Sequence, residues 1–330
     1  MSKTIVILGI TGKQGGSVAD RFLALPDWKI RGITRNTTSK SALALSSKGI
    51  ELTVADFNDP PTIKTAFEGA TAIFVNTNFW EPFYNPGTKA LLKEGQSLNE
   101  YCYEEEVQQL KNIADAAAKA EGLERIVLSG QCNVDKWANG KYKAVYHFDS
   151  KARGAEYLKE KYPDLAEKMT VLIMGNYMAN WKDGLYFRKT QEGTIKLPVL
   201  KGTQRNLRAQ VDTRDTGALV YAVLNCTPGK TILGAGCQVS WTDQFKKWCD
   251  MQNLIYGGFD EVTLEQFEKF APIPGLMTEI GEMMLFEDEF GYTGGEEIVL
   301  PKNLGVPFQM TSGEEYVKKE DWSRVLATLK

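Results

Sequence analysis

The segment YHFDSKAR, residues 146–153, carries the only histidine in a chain of 330 residues. On a helix, His147 and Lys151 stand four positions apart and share one face. An imidazole carries protons near neutral pH, so this face is a candidate for acid/base chemistry; the plain alternative is a histidine satisfied on a helix with no chemical role. Glu81, in NTNFWEPFYNP, is a second candidate acid or base if a cleft desolvates it, and an exposed loop carboxylate otherwise.

A third constellation binds rather than reacts. Gly9, Gly12 and Gly15 in GITGKQGGSV follow an apolar run and open a helical pattern, with Thr11, Lys13 and Gln14 between the glycines. Glycines so placed allow a tight turn and a close backbone approach, and a pyrophosphate then rests on the amides of the helix N-terminus. The alternative is a glycine-rich turn without a ligand. Selectivity between dinucleotides is set at the end of the second strand, where an acid would take the ribose 2′-hydroxyl of NAD. The chain reads GITRNTTSK there. Arg35 in that place suits the 2′-phosphate of NADP(H), with Asn36, Thr37 and Lys40 as further donors; a solvated basic loop is the competing reading. Asp56 and Phe57, closing the third strand, fall near the adenine.

Ligands of open α/β sheets bind at the carboxyl ends of the strands. Thr77, Asn78 and Phe79 after strand four are therefore expected beside the nicotinamide half, with Trp80 and Glu81 reaching a substrate. Gln131, Cys132 and Asn133 after strand five supply polar lining. Tyr177 and Trp181 in GNYMANW are expected to close the cleft, Tyr177 also touching cofactor. Met277, Met283 and Met284 fit a helix core better than a flexible wall.

The elements that must position these groups are legible as an alternation. The runs TIVILG, WKIRGIT, IELTVA, TAIFVN, RIVLSG and MTVLIMG read as six strands, separated by amphipathic stretches. Within LNEYCYEEEVQQLKNIADAAAKAEG, residues Val107, Leu110, Ile113, Ala114 and Ala117 keep helical spacing. The pattern implies a Rossmann-type α/β fold: a doubly wound parallel sheet over residues 1–175 and a smaller α+β cap over 176–330, with 207–234 able to return to the sheet. Pro198, Pro228, Pro272, Pro274, Pro301 and Pro307 punctuate the second part, where residues 275–291 and 312–329 each read as an amphipathic helix.

Bulk properties exclude several classes. A net charge of −3 with 43% apolar residues describes a globular chain and a poor nucleic-acid binder. Five cysteines without C-x-x-C spacing, one histidine and no leader-like start point to reduced thiols, a cytoplasmic setting and no metal. No apolar stretch reaches membrane-spanning length.

With the glycine loop, Arg35, VNTNFWEP and YHFDSKARGAEYL, the chain resembles the NmrA-like family, atypical members of the short-chain dehydrogenase/reductase superfamily; the C-terminal EDEFGYTGG and VLPKNLGVPFQMTSGEEYVKKEDWS resemble its fungal branch. The resemblance implies a Rossmann domain with a small C-terminal domain, NADP(H) as cofactor, and two kinds of work: sensing the dinucleotide pool through protein partners, or enzymology of specialised metabolism. It also implies that Lys151 and Ser129 match the lysine and serine of active short-chain reductases. The tyrosine that protonates the carbonyl in those enzymes is replaced by His147, as in sensor-type relatives; Tyr146 points about 100° away on a helix. The sequence therefore favours a dinucleotide-sensing regulatory protein. The alternatives are an NADP(H)-dependent imine or carbonyl reductase, a non-redox acid/base cyclisation or condensation enzyme, and a scaffold that binds no cofactor. A small-molecule substrate or a regulatory protein is the expected partner.

Overall fold

The computed structural model describes residues 2–183, 187–306 and 308–329, so Pro307 lies outside the described residues. An eight-stranded parallel sheet forms its centre. Six strands come from the first half: β1 (Lys3–Ile7), β2 (Trp28–Thr34), β3 (Glu51–Val54), β4 (Ala72–Val75), β5 (Arg125–Gly130) and β6 (Met169–Met174). Beyond β6 the sheet adds Thr231–Gly234 and then Ile298–Val299, and the order on the other side runs β5, β4, β1, β2, β3. Every residue of β6 is buried, as expected of a strand covered on both faces. The order reverses between β1 and β4, which opens a crevice at the carboxyl ends of those strands.

Helices cover both faces. On one side Val18 and Phe22 of helix Lys13–Leu23 pack with Leu219, Val220 and Val223 of helix Thr216–Leu224 against Ile5, Ile7 and Phe74. On the other, helix Leu98–Ala117 starts with a reciprocal Ser97/Glu100 capping box and buries Val107, Leu110, Ile113, Ala114 and Ala117, the residues its spacing indicates. Helix Tyr146–Lys161 lies against it, and the contact is tight. A Cβ on Gly154 would stand 2.5 Å from Leu110 Cδ1. This pair of helices positions His147 and Lys151.

The second half departs from the sequence reading in two places. Of residues 207–234 only Thr231–Gly234 joins the large sheet; Arg208–Val211 pairs instead with Cys237–Val239 and Asn176–Tyr177, and residues 216–224 are helical. Residues 312–329 form two helices, Gly313–Lys319 and Ser323–Ala327, because Glu320 is extended and the Trp322 side chain turns inward to donate to the Val317 carbonyl at 2.9 Å. Another small sheet, Arg188–Lys189, Thr194–Leu200 and Ile255–Val262, builds a separate core around Phe245 and Trp248. Helix Leu276–Phe290 instead returns to the first half. Its Met283, Met284 and Phe286 share a cluster with Val75, Leu128 and Ile173.

Candidate functional site

The glycine loop forms the floor of the crevice. Gly9 has φ +65°, and a Cβ there would crowd the Asn76 carbonyl at 3.2 Å. Gly12 donates its amide to the Gly9 carbonyl at 2.9 Å and is the N-cap of helix Lys13–Leu23. A Cβ on Gly15 would collide with Gly9 itself, so glycine is required where helix and strand meet. Thr11, Gly12 and Lys13 face solvent, and Gln14 is buried, its amide donating to the Tyr177 hydroxyl at 2.6 Å. Burial raises the Tyr177 hydroxyl above its ordinary range. Gln14 Oε1 has no partner among the described residues.

Arg35 and Asn36 are exposed at the end of β2. Arg35 Nη2 meets Glu81 Oε1 at 2.5 Å, and the two side chains are 61% and 46% exposed. Glu81 is therefore not desolvated. The condition for its use as an acid or base fails, and its position is that of an exposed, paired carboxylate. Asp56 is exposed and accepts the Asn58 amide at 2.9 Å. Phe57 is half-buried against the main core.

His147 and Lys151 lie on one helix face but answer to different glutamates. His147 Nδ1 stands 2.7 Å from Glu279 Oε1, and the His147 backbone amide donates to the same oxygen at 2.7 Å. Glu279 is wholly buried and also accepts the Asn99 side-chain amide. Lys151 Nζ donates to Glu106 Oε1 at 2.5 Å, and Thr77 and Ser150 hydroxyls donate to the same carboxylate at 2.7 and 2.5 Å. The lysine ammonium thus faces a carboxylate rather than the imidazole beside it. The His147 ring lies 5.0 Å from that of Trp80 and 6.0 Å from that of Phe79, between centroids. Trp80 is half-buried, whereas Phe79 is 1% exposed and belongs to a cluster with Phe83, Cys102 and Leu276. Asn78 is exposed and accepts the Trp80 amide at 3.2 Å.

Ser129 sits near the end of β5, opposite Leu172 of β6 and 4% exposed. Of the next three residues, Gln131 and Asn133 are half-buried and Cys132 is buried. Gln131 donates to the Met174 carbonyl and the Tyr292 hydroxyl, each at 3.3 Å, and its Oε1 is buried without a partner among the described residues. Cys132 is 1% exposed under the Tyr292 carbonyl, so it is core rather than lining, and burial raises its thiol far above the usual range. Asn133 caps helix Val134–Trp137 and binds Glu156 at 2.8 Å. Trp181 is also core: it is 4% exposed and packs on Trp241 in the second-half cluster, because the chain turns away from the crevice after Tyr177.

Sequence reasoning missed Glu106, Glu279, Ser150 and Asn99. The signal was present for both glutamates. Glu106 lies between Cys102 and Leu110 on the apolar face of its helix, and Glu279 lies four residues before Met283 on its own. A carboxylate on a buried face needs a partner, and one helix supplies both partners at adjacent turns. Among the described residues, no three His, Cys, Asp or Glu side chains gather as a metal site would require. No helix of the described residues is long and apolar enough to cross a membrane.

The sequence model of the NmrA-like family matches residues 1–316. An NmrA-like family domain-containing oxidoreductase of Aspergillus campestris is 44% identical over 84 residues, 25% of each chain. One from Malbranchea aurantiaca is 32% identical over 163 residues, 48% of this chain and 43% of its own. One from Penicillium ochrochloron is 29% identical over 234 residues, 67% of this chain and 64% of its own. The chain thus spans between 25% and 64% of the length of these curated relatives. Among solved structures, Nmra, a negative transcriptional regulator, superposes with a TM-score of 0.72 at 17% identity, covering 97% of this chain and 95% of that one. It has also been solved with NAD and with NADP. The triphenylmethane reductase of Citrobacter sp., complexed with NADP(H), gives 0.67 at 17% identity, covering 96% of this chain and 99% of that one. At such identities these structures share the fold.

Proposed function

The chain belongs to the NmrA-like family, and from that premise we propose that it binds NADP(H) in the crevice between β1 and β4 and acts as an oxidoreductase in which His147 handles the proton. The residues fit a dinucleotide. The Gly9–Gly15 turn brings the helix so close to the end of β1 that a Cβ at Gly15 would meet Gly9, Thr11, Gly12 and Lys13 are open to solvent, and the buried oxygens of Gln14 and Gln131 lack partners among the described residues. The glycine loop would hold the pyrophosphate and Arg35 the 2′-phosphate. NADPH, when bound, supplies a hydride.

The observation that carries the enzymatic reading is the 2.7 Å contact between His147 Nδ1 and the buried Glu279. A carboxylate on Nδ1 orients the ring and leaves Nε2 as the nitrogen that exchanges a proton with a bound molecule. That is the work of the tyrosine absent from this helix position. The half-buried Trp80 ring beside His147 offers an apolar wall against which a substrate can lie. The same proton chemistry would serve a cyclisation or condensation without redox change.

One observation favours a second reading, a dinucleotide-sensing regulator. Lys151 is engaged by Glu106, Thr77 and Ser150 in a closed buried network rather than turned outward. A sensor would bind NADP+ and NADPH with different affinities and pass the difference to a protein partner.

The test is NADPH consumption, followed by nicotinamide absorbance with product analysis, across imines, iminium ions, carbonyls and conjugated acceptors. The oxidoreductase reading expects turnover that falls about 10²–10⁴-fold in His147→Ala with dinucleotide affinity retained. Product without NADPH consumption moves the chain to the non-redox class. No turnover in any arm, with unequal affinities for NADP+ and NADPH, supports the sensor.

A further inference from the structure

The Arg35–Glu81 pair has a placement that neither residue type announces. Arg35 follows β2 and Glu81 stands in the first turn of helix Trp80–Tyr84, which follows β4. In the sheet, β1 lies between β2 and β4. The ion pair therefore straddles the carboxyl end of β1 and the glycine loop that leaves it. Anything lying along that loop with an anionic group directed at Arg35 meets a guanidinium whose Nη2 already holds a carboxylate oxygen at 2.5 Å.

We propose that Glu81 is a specificity-determining residue that competes with the ribose 2′-phosphate for Arg35 and so narrows the preference of the site for NADP(H) over NAD(H). This rests on the dinucleotide-binding reading above. The exchange is one of anions. A 2′-phosphate that takes the Arg35 fork bidentately displaces Glu81 from Nη2, and the freed, exposed carboxylate turns into solvent. A 2′-hydroxyl asks less of the site, because a carboxylate in this region accepts its hydrogen bond while Arg35 stays paired. One pair thus serves both cofactors with opposite groups. Both side chains are substantially exposed, so the clasp is weak and opens readily, as a discriminating contact must if the larger anion is to enter.

The backbone keeps Glu81 in place for this role. Its amide donates to the Asn78 carbonyl at 3.3 Å, and Asn78 Oδ1 receives the amide of Trp80 at 3.2 Å. The preceding side chain, Trp80, turns to His147 instead. Neighbouring residues on one short helix therefore meet two different partners, Arg35 and His147.

The experiment is calorimetric titration of the full chain with NADP+ and NAD+, for the parent, Glu81→Gln, Arg35→Gln and the double variant. Glu81→Gln is expected to tighten NADP+ about three- to tenfold while NAD+ does not tighten. Arg35→Gln is expected to weaken NADP+ at least tenfold, and in that background adding Glu81→Gln is expected to change NADP+ affinity less than twofold, since no guanidinium remains to compete for. An unchanged NADP+ to NAD+ ratio in Glu81→Gln overturns the inference, and so does a gain that persists without Arg35, which would mean plain charge repulsion. A parent chain that binds neither dinucleotide overturns the binding reading itself, a separate result visible in the first titration.

Discussion

Spacing set His147 and Lys151 on one helix face and the family resemblance gave that face its meaning, yet their surroundings were not legible, because each is completed by a carboxylate from a distant part of the chain. Glu106 comes from helix Leu98–Ala117 and Glu279 from helix Leu276–Phe290. Glu106 is 2% exposed, with three donors on its two oxygens. Removing one member of a buried, hydrogen-bonded ion pair costs about 3–5 kcal/mol, since the remaining charge stays in a poorly solvated place. Glu106→Ala is accordingly expected to lower unfolding free energy in denaturant titrations by about that amount, and Glu106→Gln by clearly less. Equal and small losses in both would mean that Lys151 finds water instead. The Arg35 position was legible because the rule for reading a ribose is local to one strand end. Its pairing with Glu81 was not, because it depends on strand order.

At the scale of elements, helix Tyr146–Lys161 is placed by packing at Gly154 and by a cap that it donates to a neighbour. Asp149 Oδ1 accepts the amides of Val134 and Asp135 at 2.6 and 3.3 Å, closing the start of helix Val134–Trp137. Burial pushes its carboxyl up to about 7. The folded chain therefore holds a proton on Asp149 that the unfolded chain has released above about pH 4. Stability from this group is full at low pH and declines as pH rises from about 4 to about 7, by up to about 4 kcal/mol. Asp149→Asn keeps an accepting oxygen without the titration. Its stability relative to the parent should rise across that window and level off above it, as read from melting temperatures at a series of pH values; a flat difference would contradict the shift. Gly154→Ala is expected to cost about 1–3 kcal/mol in denaturant midpoint terms despite alanine's higher helix propensity, because the new methyl meets Leu110. A stabilised variant would mean that the two helices part easily. The alternation of runs made the strands and these helices readable. The break at Trp322 was not, because a side chain turning back on the preceding helix leaves no mark in the spacing.

Across the whole molecule, the six strands of the first half and the doubly wound parallel class of the sheet followed from β-branched runs and the glycine loop, which are local signals; the strand order came from the structure. What the sequence did not reveal is that the second half contributes to the His147 site from beneath. Helix Leu276–Phe290 buries Met283, Met284 and Phe286 in the core that supports β4, β5 and β6, and so carries Glu279 to His147. Trp181, expected at the crevice, instead belongs to the separate aromatic core of the second half. Both outcomes are decided by which half a long connection packs against, and one amphipathic pattern is compatible with either.

In the proposed chemistry Glu279 holds His147 by Nδ1 and leaves Nε2 for proton exchange. A single histidine in 330 residues makes this directly observable. Long-range nitrogen–proton correlation spectra of tag-free protein with labelled imidazole report one ring, its tautomer and its response to substitution. Expected for the neutral ring is a proton on Nδ1 with Nε2 unprotonated, and loss of that preference in Glu279→Gln. A ring protonated on Nε2, or a spectrum indifferent to Glu279→Gln, would contradict it.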